Sequence, residues 1–165
     1  MEAVIFIGIQ GSGKSSFYRK HFFNTHIRIN LDMLKTRHRE KIFLQACLEA
    51  KQRFVIDNTN PTIEERRRYI IPAKEKSFPI IGYYFPPDLE GCKQRNLQRS
   101  KKQVIPLVGI LATYKKLQIP SFREGFDMLY TVKIAPNYSF LSRNGKTKFR
   151  IIKLWLQISE IWLVF

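Results

Sequence analysis

The chain has 165 residues, 29 Lys+Arg against 13 Asp+Glu, and a formal net charge of +16. That length supports one domain with a real core, and the charge favours a polyanionic partner. Two cysteines exclude a disulfide framework, and the chain carries no apolar run of the roughly 20 residues that a membrane span needs.

Ala3-Val4-Ile5-Phe6-Ile7 is an apolar run that predicts a buried strand. Gly8-Ile9-Gln10-Gly11-Ser12-Gly13-Lys14-Ser15 follows it and completes the pattern G-x-x-x-x-G-K-[ST]. Glycines at these positions let successive backbone N–H groups turn inward around phosphates. Gln10, Ser12 and Ser16 belong to the same cradle, Lys14 reaches the β and γ oxygens, and the Ser15 hydroxyl is the Mg²⁺ ligand. ATP and Mg²⁺ are therefore the expected cofactors. A helix over Ser16–Phe23 would aim its positive dipole end at the triphosphate. No basic leader precedes the loop, so no secretory signal is read and an intracellular protein is expected.

Ile27–Asn30 alternates as a strand, and Asp32 is placed to open or cap the next segment. Glu40–Gln52 has helical spacing of apolar residues, Phe54–Ile56 is a short buried strand, and Pro61 suits the first helical position of Thr62–Lys76. Phe78–Phe85 is a further strand, Asp88–Lys102 a basic helix, Leu107–Leu117 another helix, and Phe126–Ile134 the closing strand. This alternation predicts an α/β fold, a P-loop NTPase three-layer sandwich with a mainly parallel sheet, helices on both faces and a small lid. Residues 1–135 form the expected P-loop domain. Residues 136–165 form a basic, amphipathic extension of unknown role, with Ile151, Leu154, Trp155, Ile158 and Trp162 on one helical face. Cys47 and Cys92 lack metal-ligand spacing and are expected as buried thiols, and His21, His26 and His38 are unclustered, so no zinc site is expected.

Beyond the P-loop, the chain resembles the 5′-hydroxyl polynucleotide kinase family. The matching segments are Gly8–Ser16, Asn30-Leu31-Asp32, Ile56-Asp57-Asn58-Thr59-Asn60-Pro61, Arg95-Asn96 with Arg99, and Val104 through Tyr114-Lys115-Lys116 to Glu124-Gly125-Phe126. The resemblance implies that Asp32 is the general base that takes the proton of the attacking 5′-hydroxyl. It also implies that Arg95 and Arg99 stand on the γ-phosphate side. Leu31 replaces the family's arginine before the base, and Lys35 falls where an arginine assists contact with the acceptor phosphate. The Asp-x-Asp-x-Thr signature of the phosphatase module is lacking.

The residues alone leave alternatives. Asp32 reads as a base or only a helix N-cap, and Asp57 as a metal-holding carboxylate at a strand end or a turn residue. Arg95 and Arg99, four apart, would share a helical face and clamp phosphate from a lid, or belong to a solvated basic face with Lys93, Lys101 and Lys102. Asn58 and Thr59 orient the acceptor or the groups around it, since uncharged side chains fix geometry without repelling a triphosphate, and with Lys35, which the resemblance supplies, they are the candidate acceptor-binding residues. The expected activity is ATP-dependent phosphoryl transfer to the 5′-hydroxyl end of DNA or RNA. A small-molecule kinase and a nucleotide-binding module without turnover are the alternatives. Basic residues at Arg66–Arg68, Lys93–Lys102, Lys115-Lys116 and Arg143–Lys153 suit strand phosphates. Oligomeric state is open.

Overall fold

The strand β1 (Ala3–Ile7) is buried at every residue, as a continuous apolar run in the middle of a parallel sheet must be. The computed structural model describes residues 1–100, 103–134 and 140–144, the last five by backbone alone. Around β1 run β2 (Ile27–Ile29), β3 (Phe54–Ile56), β4 (Ile80–Tyr84), β5 (Met128–Ile134) and β6 (Phe140–Asn144). The sheet order is β2-β3-β1-β4-β5-β6, with the first five strands parallel and β6 antiparallel to β5. β1 therefore has a neighbour on each side, and the chain after it opens at the carboxyl edge, where ligands of open α/β sheets bind.

The helices are α1 (Lys14–His21), α2 (Leu31–Leu34), α3 (Arg37–Glu49), α4 (Ile63–Glu75), α5 (Leu89–Leu97) and α6 (Leu107–Lys116). Side chains alternate across each strand, so the sheet has two cores. Ile5, Ile7, Ile29, Phe54, Ile56 and Ile80 meet Leu44, Leu48, Tyr69 and Ile70 of α3 and α4. Val4, Phe6, Val55 and Ile81 meet Phe17 and Tyr18 of α1 and Phe22 beyond it. Phe6 centres this second core, with edge contacts to Phe17, Phe22 and Phe85 at centroid separations of 5.6 to 5.7 Å. Such pairs contribute about 0.5–1.5 kcal/mol each beyond area burial. Cys47 and Cys92 are both free and buried, and burial pushes both thiols up.

Several boundaries differ from the sequence reading. α1 begins at Lys14, two residues early, because the left-handed Gly13 (φ 91) already caps it. Asp32 lies inside the one-turn α2, and the capping side chain is Asn30, which accepts from the Met33 N–H. Pro61 precedes the α4 cap, Thr62, whereas Pro72 sits within that helix. The basic helix over Asp88–Lys102 ends at Leu97, since Asn96 turns back to bond both backbone groups of Ile105, at 2.8 and 3.1 Å. The sheet does not close at β5. β6 adds an antiparallel edge strand within the stretch read as an extension, while the amphipathic helix over 151–165 lies outside the described residues.

Candidate active site

The loop between β1 and α1 leaves the α1 N-terminus open: no side chain caps it and no acidic residue stands in its first turn. Its unpaired N–H groups and positive dipole end can meet an anion. Lys14 folds over the loop and donates to the carbonyls of Gly8 and Ile9 at 2.8 and 2.7 Å, and to Ser12 Oγ at 3.3 Å. Burial pushes its amine down to about 8, most strongly opposed by the Asp57 carboxylate. Arg99 adds to the depression and Asp32 acts against it, so both charges lie within electrostatic reach of the lysine. The Gln10 side chain is committed elsewhere, donating to Thr113 Oγ1 of α6 at 3.0 Å, which leaves its backbone to meet a phosphate. Ser15 and Ser16 are exposed on the first turn.

Asp57 follows β3 and is 2% exposed. Its Oδ2 accepts from Ser15 Oγ at 2.9 Å, and its Oδ1 is buried without a hydrogen-bond partner. A hydroxyl and a carboxylate at the edge of a phosphate loop are the hard oxygens that Mg²⁺ takes, together with substrate oxygens and water. The orphaned Oδ1 is the observation that makes the pair a fit. Among the described residues no group of three or more His, Cys, Asp or Glu is arranged for a metal, so an all-protein cage is not this design. Arg28 also reaches the pair, a residue that sequence reasoning passed over as one member of a strand. Its Nε donates to Asp57 Oδ2 at 2.8 Å, and its Nη2 to the same oxygen and to Ser15 Oγ at 3.0 Å.

On the other side of β3 stands the turn that carries Asp32. Asn30 bonds the Asp57 carbonyl and caps α2, and the Leu31 N–H donates to Asn58 Oδ1 at 2.8 Å. Asn58 Nδ2 in turn donates to Glu40 Oε1 at 2.6 Å and to Tyr69 Oη at 3.1 Å. Glu40 is buried and also accepts from Tyr69 at 3.0 Å and Arg37 at 2.7 Å. Burial and the Glu40 carboxylate hold the Tyr69 phenol up at about 12. Asp32 itself is exposed, and Lys35, also exposed, ends α2 with left-handed backbone (φ 68). Of the two roles read for Asn58, orienting the acceptor or the groups around it, its amide contacts to Leu31, Glu40 and Tyr69 serve the second. What it does is hold the Asp32 turn. Thr59 joins through its backbone, its carbonyl accepting from the Gly8 N–H at 3.0 Å.

The lid over the loop is α5 and α6, tied to it through Ile9, Cys92 and Ile110. Gly11 (φ +77) lets them approach, for a Cβ there would lie 2.6 Å from the Cys92 carbonyl oxygen. Arg95 and Arg99 do not share a helical face, because α5 stops between them. Arg95 Nε donates to the Gly11 carbonyl at 2.7 Å, and Arg99 lies in the turn beyond α5. Arg95 thus reaches the loop, and Arg99 lies within electrostatic reach of Lys14. The basic run at Arg66–Arg68 is also not wholly surface. Arg66 is 0% exposed, forked onto Glu124 and bonded to the carbonyls of Asn60, Pro61 and Gln118. It fixes the chain leaving the Asp57–Asn60 segment. Among the described residues no helix is long and apolar enough to cross a membrane.

The AAA domain family model (AAA_33) matches residues 35–109, beginning after the P-loop. Over 133 residues the chain is 32% identical to the bifunctional polynucleotide phosphatase/kinase of Schizosaccharomyces pombe, covering 76% of this chain and 32% of that protein. It is also 32% identical, over 139 residues, to the putative bifunctional polynucleotide phosphatase/kinase of Acanthamoeba polyphaga mimivirus, covering 79% and 33%. The chain thus spans about a third of the length of the curated relatives it matches. Among solved structures, Chaetomium thermophilum Kti12 shares the fold with a TM-score of 0.61 at 15% identity, covering 82% of this chain and 92% of that one. A Sinorhizobium meliloti gluconokinase shares it at 0.57 and 16%, covering 81% and 83%. A phosphate loop, a paired Ser15–Asp57 and a lid thus stand on one sheet edge of an α/β P-loop fold, and over most of its length the chain is similar to these polynucleotide phosphatase/kinases.

Proposed function

We propose that this protein transfers the γ-phosphoryl group of ATP to the 5′-hydroxyl end of a polynucleotide. The observation that carries the reading is the placement of Asp32. Its exposed carboxylate stands on a turn pinned at Asn30 and Asn58, within electrostatic reach of Lys14 at the phosphate loop. Phosphoryl transfer has a loose transition state, so catalysis is mainly in-line positioning and charge neutralisation. Asp32 accepts the proton of the attacking hydroxyl. Lys14 and the open α1 N-terminus bind the phosphates, with Arg99 and Arg95 approaching from the lid. Ser15 and Asp57 would hold Mg²⁺, which when bound offsets charge on the β and γ oxygens. Lys35, on the Asp32 turn, faces the strand phosphates. The net charge of +16 supports a polyanionic acceptor over a small neutral one.

The test is transfer of label from γ-labelled ATP to 5′-hydroxyl oligonucleotides by wild type, Lys14→Ala and Asp32→Ala. The expected result is labelling by wild type, loss in both variants, and retained ATP binding by Asp32→Ala. A folded wild type that binds ATP yet labels neither DNA nor RNA overturns the reading. Equal use of mononucleosides and oligonucleotides redirects it to a small-molecule kinase.

A further inference from the structure

Parallel pairing of β2 with β3 sets Arg28 opposite Val55, so Asp57, two residues on, projects to the same face of the sheet. α1 covers that face and brings Ser15 and Tyr18 to it. The Arg28 guanidinium lies there with its carbon 5.4 Å from the Tyr18 ring centroid and its Nε and Nη2 on Asp57 Oδ2. Nη2 also reaches Ser15 Oγ at 3.0 Å. Ser15 Oγ and the Asp57 carboxylate are the two groups assigned above to Mg²⁺. We propose that Arg28 is the resident cation of the metal site, and that Mg²⁺ arriving with the nucleotide takes Ser15 Oγ and the Asp57 carboxylate from it.

The inference rests on the Mg²⁺·ATP reading given under Proposed function. Its physical basis is charge compensation. A carboxylate as buried as Asp57 needs a cation beside it at all times, and Oδ1 already lacks any partner. Arg28 supplies that cation before nucleotide binds. A guanidinium and a divalent ion cannot both sit at contact distance on Ser15 Oγ, because their like charges repel. The arginine is also able to leave. Its side chain is 27% exposed, and Nη1 lies beside Met33 Sδ at 3.5 Å on the solvent side. The site is therefore selective for the nucleotide-bound ion, since the ion alone must displace a fork of hydrogen bonds without help from phosphate oxygens.

The experiment compares wild type with Arg28→Gln and Arg28→Lys in the full chain. One measurement is the Mg²⁺ concentration that half-saturates its effect on binding of a fluorescent ADP analogue. The other is the thermal unfolding midpoint against Mg²⁺ alone. In Arg28→Gln the half-saturating concentration is expected to fall about tenfold, and Mg²⁺ without nucleotide raises the midpoint, which in wild type it leaves unmoved. Arg28→Lys, a point charge without the fork, falls between the two and keeps the test open if the glutamine variant does not fold. Half-saturation that is unchanged or raised in both variants, with Mg²⁺ still coupled to nucleotide, overturns the exchange and leaves the metal reading standing. Nucleotide binding indifferent to Mg²⁺ in every protein overturns both.

Discussion

Asp57 and Asn58 are chain neighbours that face opposite sides of the sheet, and their surroundings differ in kind. Asp57 meets Ser15 and Arg28, keeps one oxygen without a partner, and lies under α1. Asn58 meets Leu31, Glu40 and Tyr69, and both its amide hydrogens and its oxygen are engaged. The first environment is incomplete and can accept a ligand, whereas the second is complete and can only hold position. Two consecutive polar residues thus divide the work of one strand end between binding and alignment.

The sharpest way to break this contrast is to neutralise each residue in turn. Asp57→Asn is expected to lower turnover at saturating ATP about 100-fold while leaving the unfolding midpoint close to wild type. Asn58→Ala, which strands the Leu31 N–H and removes one donor from Glu40, is expected to destabilise the fold by about 2 kcal/mol. Urea unfolding beside steady-state kinetics checks both; a destabilised Asp57→Asn with a wild-type-stable Asn58→Ala inverts the comparison. The third prediction concerns Lys14. Burial sets its amine to about 8 in the free protein, and a triphosphate favours the charged form. ATP affinity is therefore level below that pH and falls by about tenfold per unit above it, with a proton taken up on binding. Titration calorimetry just above pH 8 in buffers of different ionisation enthalpy measures that proton. The smallest effect belongs to Glu40→Gln. It keeps an acceptor for Asn58 and Tyr69 but turns a donor toward Arg37, which is 44% exposed in its side chain and can turn to water. A loss of about 1 kcal/mol is expected in the same urea assay, and a loss as large as that of Asn58→Ala would show that the charge, not the geometry, carries the network.

What the sequence made legible was local. The Ala3–Ile7 run, the phosphate loop and the strand ends at Ile56 and Tyr84 each declare themselves within a few residues. Lys14 was singled out by the phosphate-loop pattern, Asp57 by its place at a strand end, and Asp32 as a base by the family resemblance, the residues alone leaving it equally a helix cap. What stayed hidden depended on pairing across the chain. Arg28 becomes a site residue only through the register that sets it against Val55, though an ionisable side chain alternating with Ile27 and Ile29 was the available signal. Arg66 reads as one of three surface arginines until Glu124, far along the chain, is brought to it. The lid helix was overrun for the same reason, since its stop is made by the bonds of Asn96 to Ile105 rather than by a glycine or proline at its end. Which of its two readings Asn58 follows was equally hidden, because its three partners lie on three other elements.

The direction of β6 has a topological consequence. Asn144 pairs with Tyr130 and Phe140 with Ile134, so this strand runs back from the cleft toward the edge at which β1 begins. Through Tyr130 and Tyr83, Asn144 is level with Phe6, so the described β6 lies along the carboxyl half of the sheet, on the side of the cleft rather than behind it.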